Sequence, residues 1–326
     1  MSGSHHHHQH EHEHDHDDHH GHDHSHGHHG HVHAPKDFGK PFAIGVFLNG
    51  GFVIVEAVFG FLSNSLSLLT DAGHNLGDVL GLLLAWGASV LANRRPSARF
   101  TYGLRSTSIL AALINAALLL LATGAIGWEA VSRLMQPVPV EGGTVTAVAV
   151  VGVVINTATA LMFMSGRKDD LNVRAAFLHM AADAAITLGV ALSGIAIIFT
   201  GWQWLDPVTS LVVAVLVIAG TWGLLRDSVN LALHAVPPGI DPAQVQALLA
   251  SFPGVTEVHD LHIWAMSTTD TALTAHLVCP AGYPGDALHG QIAHELKTRF
   301  RIGHSTIQIE TGDPAHPCEL APAHVV

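Results

Sequence analysis

The stretch that decides the fold is Thr70-Asp71-Ala72-Gly73-His74-Asn75-Leu76-Gly77-Asp78, set inside a long apolar run. His74 and Asp78 stand four residues apart, so on a helix they project from one face, a single turn apart. The same spacing returns far downstream in His179-Met180-Ala181-Ala182-Asp183, again within an apolar run. An imidazole and a carboxylate one turn apart make half of a tetrahedral divalent-metal site, and two such helices would complete it.

Working outward, the 326 residues are 48% hydrophobic and only 12% charged. A soluble globular chain carries about a quarter charged residues, so roughly half of the expected charge is missing. The deficit is uneven. Residues 1–33 are almost all His, Asp, Glu and Gly, which leaves residues 42–233 strongly apolar. Such a middle reads as a multi-span membrane domain. The two cysteines, Cys279 and Cys318, are too few for a disulfide framework and fit a reducing compartment or simple packing. The N-terminus lacks the basic and apolar regions of a signal peptide. A formal charge of -12 owes much to the acidic tail and speaks against nucleic-acid binding.

The tail itself, with runs such as His-Glu-His-Glu-His-Asp-His, offers nothing to build a core and is expected to be disordered. Its imidazoles and carboxylates suit it to collect metal ions loosely. Ser4 followed by His5 to His8 could be a purification tag, but the interleaved acids favour a natural metal-binding tail. The stretch His10-Glu11-His12-Glu13-His14 matches the zincin pattern literally. With no apolar helix to carry it, that match is accidental.

Six apolar segments follow, at about Phe42–Leu62, Leu66–Ala92, Ser106–Leu134, Gly142–Ser165, Leu171–Thr200 and Pro207–Leu233. Each reaches the roughly 20 residues that a bilayer-spanning helix needs. Basic residues fall on one side: Arg94, Arg95, Arg99 and Arg105 in the second-to-third connection, Arg167, Lys168 and Arg174 in the fourth-to-fifth. The opposite connections carry only Arg133, so the positive-inside rule sends both termini to the cytoplasm. Trp202 and Trp204 then sit at the outer interface.

After Pro237-Pro238 the character changes. Asp241-Pro242 starts a helix running to Phe252; Val255–Met266 and Ala272–Cys279 alternate like strands; Asp286–Phe300 reads as a helix and Ser305–Glu310 as a last strand. The order suggests a small α+β domain of ferredoxin-like type. The expected organisation is a disordered tail over 1–37, an all-α six-helix transmembrane domain over 38–236, a cytoplasmic ferredoxin-like domain over 237–312 and an extension over 313–326.

Charged groups inside a bilayer are costly and usually functional. Here they are Glu56, Asp71, Asp78, Glu129 and Asp183, with His74 and His179 alongside. At 1.5 Å per residue, Asp78 lies about 17 Å below the outer end of its helix and Asp183 about 18 Å in from the inner end of its own. Both pairs reach the midplane, where antiparallel packing sets His74 beside Asp183 and Asp78 beside His179. Two carboxylates and two neutral imidazoles around Zn²⁺ sum to zero charge, which makes the ion tolerable at that depth. Imidazole ligands shift preference toward Zn²⁺ and away from Mg²⁺, Ca²⁺ or Mn²⁺. Gly73, Gly77 and Gly81 form a small-residue row beside the ligand face, permitting close helix approach. The plainer reading, that each His–Asp pair is a structural interhelical hydrogen bond, fits one pair better than two at matching depth. Protons compete with metal for the same groups, so helices that rock between two open states would exchange Zn²⁺ for protons.

The two H-x-x-x-D pairs, the stretch Phe100-Thr101-Tyr102-Gly103-Leu104-Arg105 and the stretch His259-Asp260-Leu261-His262-Ile263-Trp264 carry a resemblance. Together they resemble the cation diffusion facilitator family, in particular bacterial cobalt-zinc-cadmium efflux members and vesicular zinc transporters. The resemblance covers about residues 40–312. It implies a homodimer of six-helix protomers in the bacterial inner membrane, with cytoplasmic ferredoxin-like domains. It also implies proton-driven export of Zn²⁺, and of Cd²⁺ or Co²⁺ in some members, with His74, Asp78, His179 and Asp183 as the transported-metal site. Regulatory zinc ligands are implied at His259, His276 and Glu310, with a further ligand from the chain terminus, for which Cys318 and His316 are candidates. His234 and His262 are weaker candidates, and His289, His294 and His304 read as solvated. One departure stands out: Asn93–Ser106 contains no His, Asp, Glu or Cys, so the extra metal site of some bacterial members is expected to be absent. The rival from another class is a membrane-anchored zinc sensor or buffer without transport. A metallohydrolase fits poorly, since four protein ligands close the metal and no base stands beside an open position.

Overall fold

The computed structural model describes residues 40–164 and 171–322. The His-rich tail, and Arg167 and Lys168 among the orienting basic residues, lie outside them. Six helices come first: α1 (Lys40–Leu62), α2 (Leu66–Ala92), α3 (Thr107–Met135), α4 (Gly142–Phe163), α5 (Leu171–Thr200) and α6 (Leu205–Ala232). Among the described residues, α2 to α6 are long and apolar enough to cross a membrane, and α1 contributes the shorter apolar stretch Phe47–Leu62. Leu121, Phe199, Trp128 and many other large apolar side chains point outward, as helices bathed in lipid require.

The helices pair unequally. α4 packs along α5, and α3 along α6, while α2 lies against α1, α3 and α6 and meets α5 only locally. The glycine row on α2 sets this arrangement. A Cβ on Gly77 would stand 2.9 Å from Leu119 Cδ1, and one on Gly81 would stand 2.8 Å from Asn115 Nδ2. The row therefore seats α2 on α3. One residue is about 100° of helix rotation, so His74 and Asp78, each one position beyond a row glycine, are turned away toward α5.

The start of α2 is fixed by a residue just ahead of the sixth apolar segment. Asp206, at the head of α6, is wholly buried. Its carboxylate accepts hydrogen bonds from Ser65 Oγ and Ser67 Oγ (both 2.6 Å), Leu66 N (2.7 Å) and Ser67 N (3.2 Å). Free N–H groups and the positive end of the helix dipole make a helix N-terminus a favourable place for an anion. Thr70 and Ser210 continue the seam with a 2.7 Å bond between hydroxyls. α2 and α6 are thereby joined.

The C-terminal domain comprises α7 (Pro242–Ala250), β1 (Glu257–Ala265), β2 (Thr271–Val278), α8 (Asp286–Phe300) and β3 (Ile302–Glu310). Asp241 caps α7 by accepting from Ala243 N, with Pro242 just inside the helix. The sheet order is β1-β2-β3, with β1 antiparallel and β3 parallel to β2, so α8 is the crossover that a parallel pair needs. Leu249, Leu273, Leu277, Ile292, Leu296 and Ile302 close the core between sheet and helices. β3 begins three residues before the predicted Ser305, because Arg301 adopts a left-handed conformation (φ 58°) that ends α8 and turns the chain straight into the strand. Arg105 contacts Asp270 at 3.2 Å and Ser106 Oγ donates to the Met266 carbonyl, placing this domain beside the C-terminal end of α2.

Candidate functional site

The two His–Asp pairs meet between α2 and α5. His74 Nε2 lies 3.3 Å from Asp183 Oδ1, and His179 Nε2 lies 3.3 Å from Asp78 Oδ2. Within each helix the one-turn spacing gives 3.6 Å for His74–Asp78 and 3.8 Å for His179–Asp183. The imidazole rings stand edge to face with centroids 6.2 Å apart. Each carboxylate thus touches both imidazoles, and ligand atoms of His74, Asp78 and Asp183 all fall within 4.8 Å of one another. Buried Asp183 Oδ2 and His74 Nδ1 lack a hydrogen-bond partner, and Asp78 Oδ2 meets the imidazoles only as ion-pair contacts. Orphaned polar atoms at that depth call for a cation or protons.

Exposure is graded across the four. Side-chain exposure is 41% for His179, 28% for Asp78, 15% for His74 and 2% for Asp183. The more open pair lies toward the C-terminal end of α2 and the N-terminal end of α5, the side that carries the C-terminal domain.

Beyond the four, the other acidic groups divide. Glu129 is half exposed and pairs with Arg133 at 3.0 Å one turn on, a helix-surface ion pair. Asp71 and Glu56 are wholly buried. Asp71 Oδ2 accepts from Thr187 Oγ1 at 2.8 Å, and Thr187, one turn beyond Asp183, also donates to the Asp183 carbonyl at 2.9 Å. Thr187 gave no sequence signal, because a threonine in an apolar helix is ordinary until its partner is known.

A second cluster occupies the sheet. His259 and His276 are cross-strand partners on β1 and β2, and Glu310 ends β3. His276 Nδ1 lies 2.9 Å and His259 Nε2 3.3 Å from the Glu310 carboxylate, and Cys318 Sγ lies 3.5 Å from His276 Nδ1. Ligand atoms of all four fall within 4.8 Å of one another, and the ring nitrogens of half-buried His259 meet Glu310 and Glu257 only as ion-pair contacts, without a well-formed hydrogen bond. This N, N, O, S set has the composition that suits zinc. Asp260 joins it unannounced by sequence. A bulge between His259 and His262 and a positive φ of 48° at Asp260 bring its carboxylate 3.4 Å from His276 Nε2 and 2.8 Å from His262 Nε2. His262 reaches the cluster only through Asp260. His316 is exposed and bonds Asp313, His234 ends α6 at a positive φ of 59°, and exposed His304 stacks edge-on against Tyr102. Burial pushes the Glu310 carboxyl up, but hydrogen bonds from Cys318 and Gln308 and the two imidazoles outweigh it and hold it below its ordinary value. The Cys318 thiol is pushed up by burial and by the Glu310 and Asp260 carboxylates.

The sequence matches two family models in succession: the cation efflux transmembrane domain over residues 42–231 and the cation efflux protein cytoplasmic domain over 237–312. The chain belongs to the cation efflux family. Similar proteins include "Zinc transporter ZitB" of Escherichia coli, 39% identical over 298 residues that cover 90% of this chain and 93% of that one. The "Cadmium, cobalt and zinc/H(+)-K(+) antiporter" of Bacillus subtilis is 36% identical, covering 83% of this chain and 89% of its own. "Metal cation efflux system protein CzcD" of Cupriavidus metallidurans is 37% identical, covering 86% and 88%. As a cation efflux protein this chain is an integral membrane transporter and not an enzyme.

Proposed function

We propose that this cation efflux protein exports Zn²⁺, and related divalent ions such as Cd²⁺ or Co²⁺, in exchange for protons through the site formed by His74, Asp78, His179 and Asp183. The observation that carries the reading is the crossed pairing of two imidazoles and two carboxylates between α2 and α5. Held this way, neutral imidazoles and ionised carboxylates carry two negative charges, which one divalent cation cancels. Without the cation, protons on the same groups supply the compensation, so cation and proton occupy the site in turn.

α2, joined to α6 and seated on α3, and α5, packed along α4, meet at this site. A change in how the two groups of helices lean would expose it to opposite sides. In the functional unit α1 is the sixth membrane span, the protein is a homodimer in a bacterial inner membrane, and both termini and a ferredoxin-like domain face the cytoplasm. The graded exposure supports an inward-open arrangement. His259, His276, Glu310 and Cys318 form a regulatory zinc site that ties the chain terminus to the sheet; the nitrogens of His259, without a well-formed hydrogen bond, and the mixed donor set support it.

Zinc flux into proteoliposomes under an imposed pH gradient tests the reading, comparing wild type with His74→Ala and Asp183→Ala. Loss of flux in both variants, and flux in wild type that follows the gradient, is expected. Equal flux would leave the helices as the anchor of a zinc sensor or buffer, and flux blind to pH would remove the antiport.

A further inference from the structure

Glu56 on α1 and Asp71 on α2 take no part in the cation site, yet both are wholly excluded from solvent. Asn75 stands one turn beyond Asp71 on α2 and bonds Glu56, which brings the two carboxyl groups onto one buried seam between α1 and α2. Each has one oxygen already served: Asn75 Nδ2 donates to Glu56 Oε2 at 3.5 Å, and Thr187 Oγ1 donates to Asp71 Oδ2 at 2.8 Å. The other two, Glu56 Oε1 and Asp71 Oδ1, are buried and receive no hydrogen bond from any donor of the described residues. Two ionised carboxylates are costly together in a dry seam, because their repulsion is unscreened and neither has a donor to offer. One proton placed between them removes one charge and gives both orphaned oxygens a partner.

We propose that Glu56 and Asp71 hold a single proton between them and form a proton-carrying station of the transporter, separate from the four cation ligands. The neighbours make the station responsive. α1 packs on α2 and α4, and α4 contains no titratable side chain, so Asp71 is the titratable group that faces Glu56. Asp71 in turn stands three residues before His74 on the same helix. On the other faces of α2, Glu129 of α3 is paired with Arg133 and Asp206 of α6 is held by the Ser65–Ser67 turn. Thr187 bonds both Asp71 and the Asp183 carbonyl, and Asn75 sits next to His74, so the station touches the cation site from two helices.

The direction of coupling follows from charge. A divalent cation arriving among the four ligands favours negative charge nearby, so the shared proton leaves the pair to water on the side from which the cation came. When the cation departs to the other side, an anionic pair beside an anionic site takes up a proton from water on that side. One proton therefore moves opposite to each cation without ever occupying a ligand.

The inference rests on the antiport reading, and one experiment separates the two. The full chain is reconstituted in proteoliposomes with a fixed zinc gradient, and the pH gradient that just stops net zinc flux is found at several zinc ratios, which gives protons per cation. Glu56→Gln keeps an N–H donor toward Asp71 but carries no exchangeable proton. The expected result is one proton fewer per cation, zinc binding that is retained but releases one proton fewer in calorimetry, and loss of the infrared band of a buried protonated carboxyl group. Asp71→Asn is the second variant, with the same expectation, and zinc binding in either one reports that it has folded. An unchanged proton count, or a carboxylic-acid band that persists in both variants, overturns the station while leaving antiport intact. Wild-type flux indifferent to every pH gradient overturns the antiport reading itself.

Discussion

Replacing Asp183 by Asn tests the idea that charge cancellation, more than the number of ligands, lets a divalent ion rest between α2 and α5. Asn keeps the volume, an oxygen ligand and a hydrogen-bonding group for His74, which lies 3.3 Å from Asp183. What changes is the sum: the loaded site goes from neutral to one positive charge. Asp183 is 2% exposed at its side chain, so water cannot dilute that charge. A single charge at the centre of a membrane helix costs about 2.5–3.5 kcal/mol on insertion scales. At 1.4 kcal/mol per tenfold, the expected loss of zinc affinity is about 100-fold. The same substitution at Asp78, whose side chain is 28% exposed, leaves its charge partly hydrated and is expected to lose clearly less. Calorimetric zinc titration of both variants in nanodiscs measures the pair. Affinity of Asp183→Asn within about threefold of wild type, or a larger loss at Asp78→Asn, would refute the charge argument.

Four further outcomes are expected. Asp206→Ala strips the acceptor from two buried backbone N–H groups at the head of α2; at about 1–3 kcal/mol for each orphaned donor, it should lower unfolding stability in detergent by roughly 3 kcal/mol, the serine hydroxyls partly compensating each other. Gly77→Val forces a side chain into Leu119 and should cost about 1–3 kcal/mol and depress transport, read by thermal melting alongside flux. His276→Ala removes the residue that touches Glu310, Cys318 and Asp260, and should abolish zinc-dependent protection of the chain terminus from limited proteolysis while leaving zinc binding at the membrane site unchanged. Glu310, held below its ordinary value, should stabilise the C-terminal domain fully above the usual Glu value of about 4.3 and lose that contribution as pH falls below it; the stability difference between wild type and Glu310→Gln, followed against pH, should be flat above that range and vanish in stronger acid.

What sequence revealed was the part written in local spacing. The H-x-x-x-D pairs, the apolar segments and the strand alternation are periodicities that a helix or strand imposes on its own residues, and they suffice to set His74 against Asp183. What it missed was set by residues far apart in the chain. Asp206 reads as a loop acid until Ser65, Leu66 and Ser67 bring their donors to it. The glycine row announced close packing, but only Leu119 and Asn115 reveal that its partner is α3. Asp260 has no role legible from sequence, because a bulge and a left-handed residue turn it into the cluster, and neither is written in the alternation of β1.

The graded exposure of the four proposed ligands also bears on speed. A hydrated divalent ion resists losing its water all at once, and a site that demanded full dehydration at entry would be slow however tightly it finally bound. From His179 through Asp78 and His74 to Asp183, exposure falls step by step while the ligand type alternates imidazole, carboxylate, imidazole, carboxylate. An ion arriving from the open side can exchange one water at a time for one ligand, its lost hydration matched at each step by a new bond. On the proposed cation role, the four residues would act as a ladder of ligand exchange, with Asp183 as its last rung.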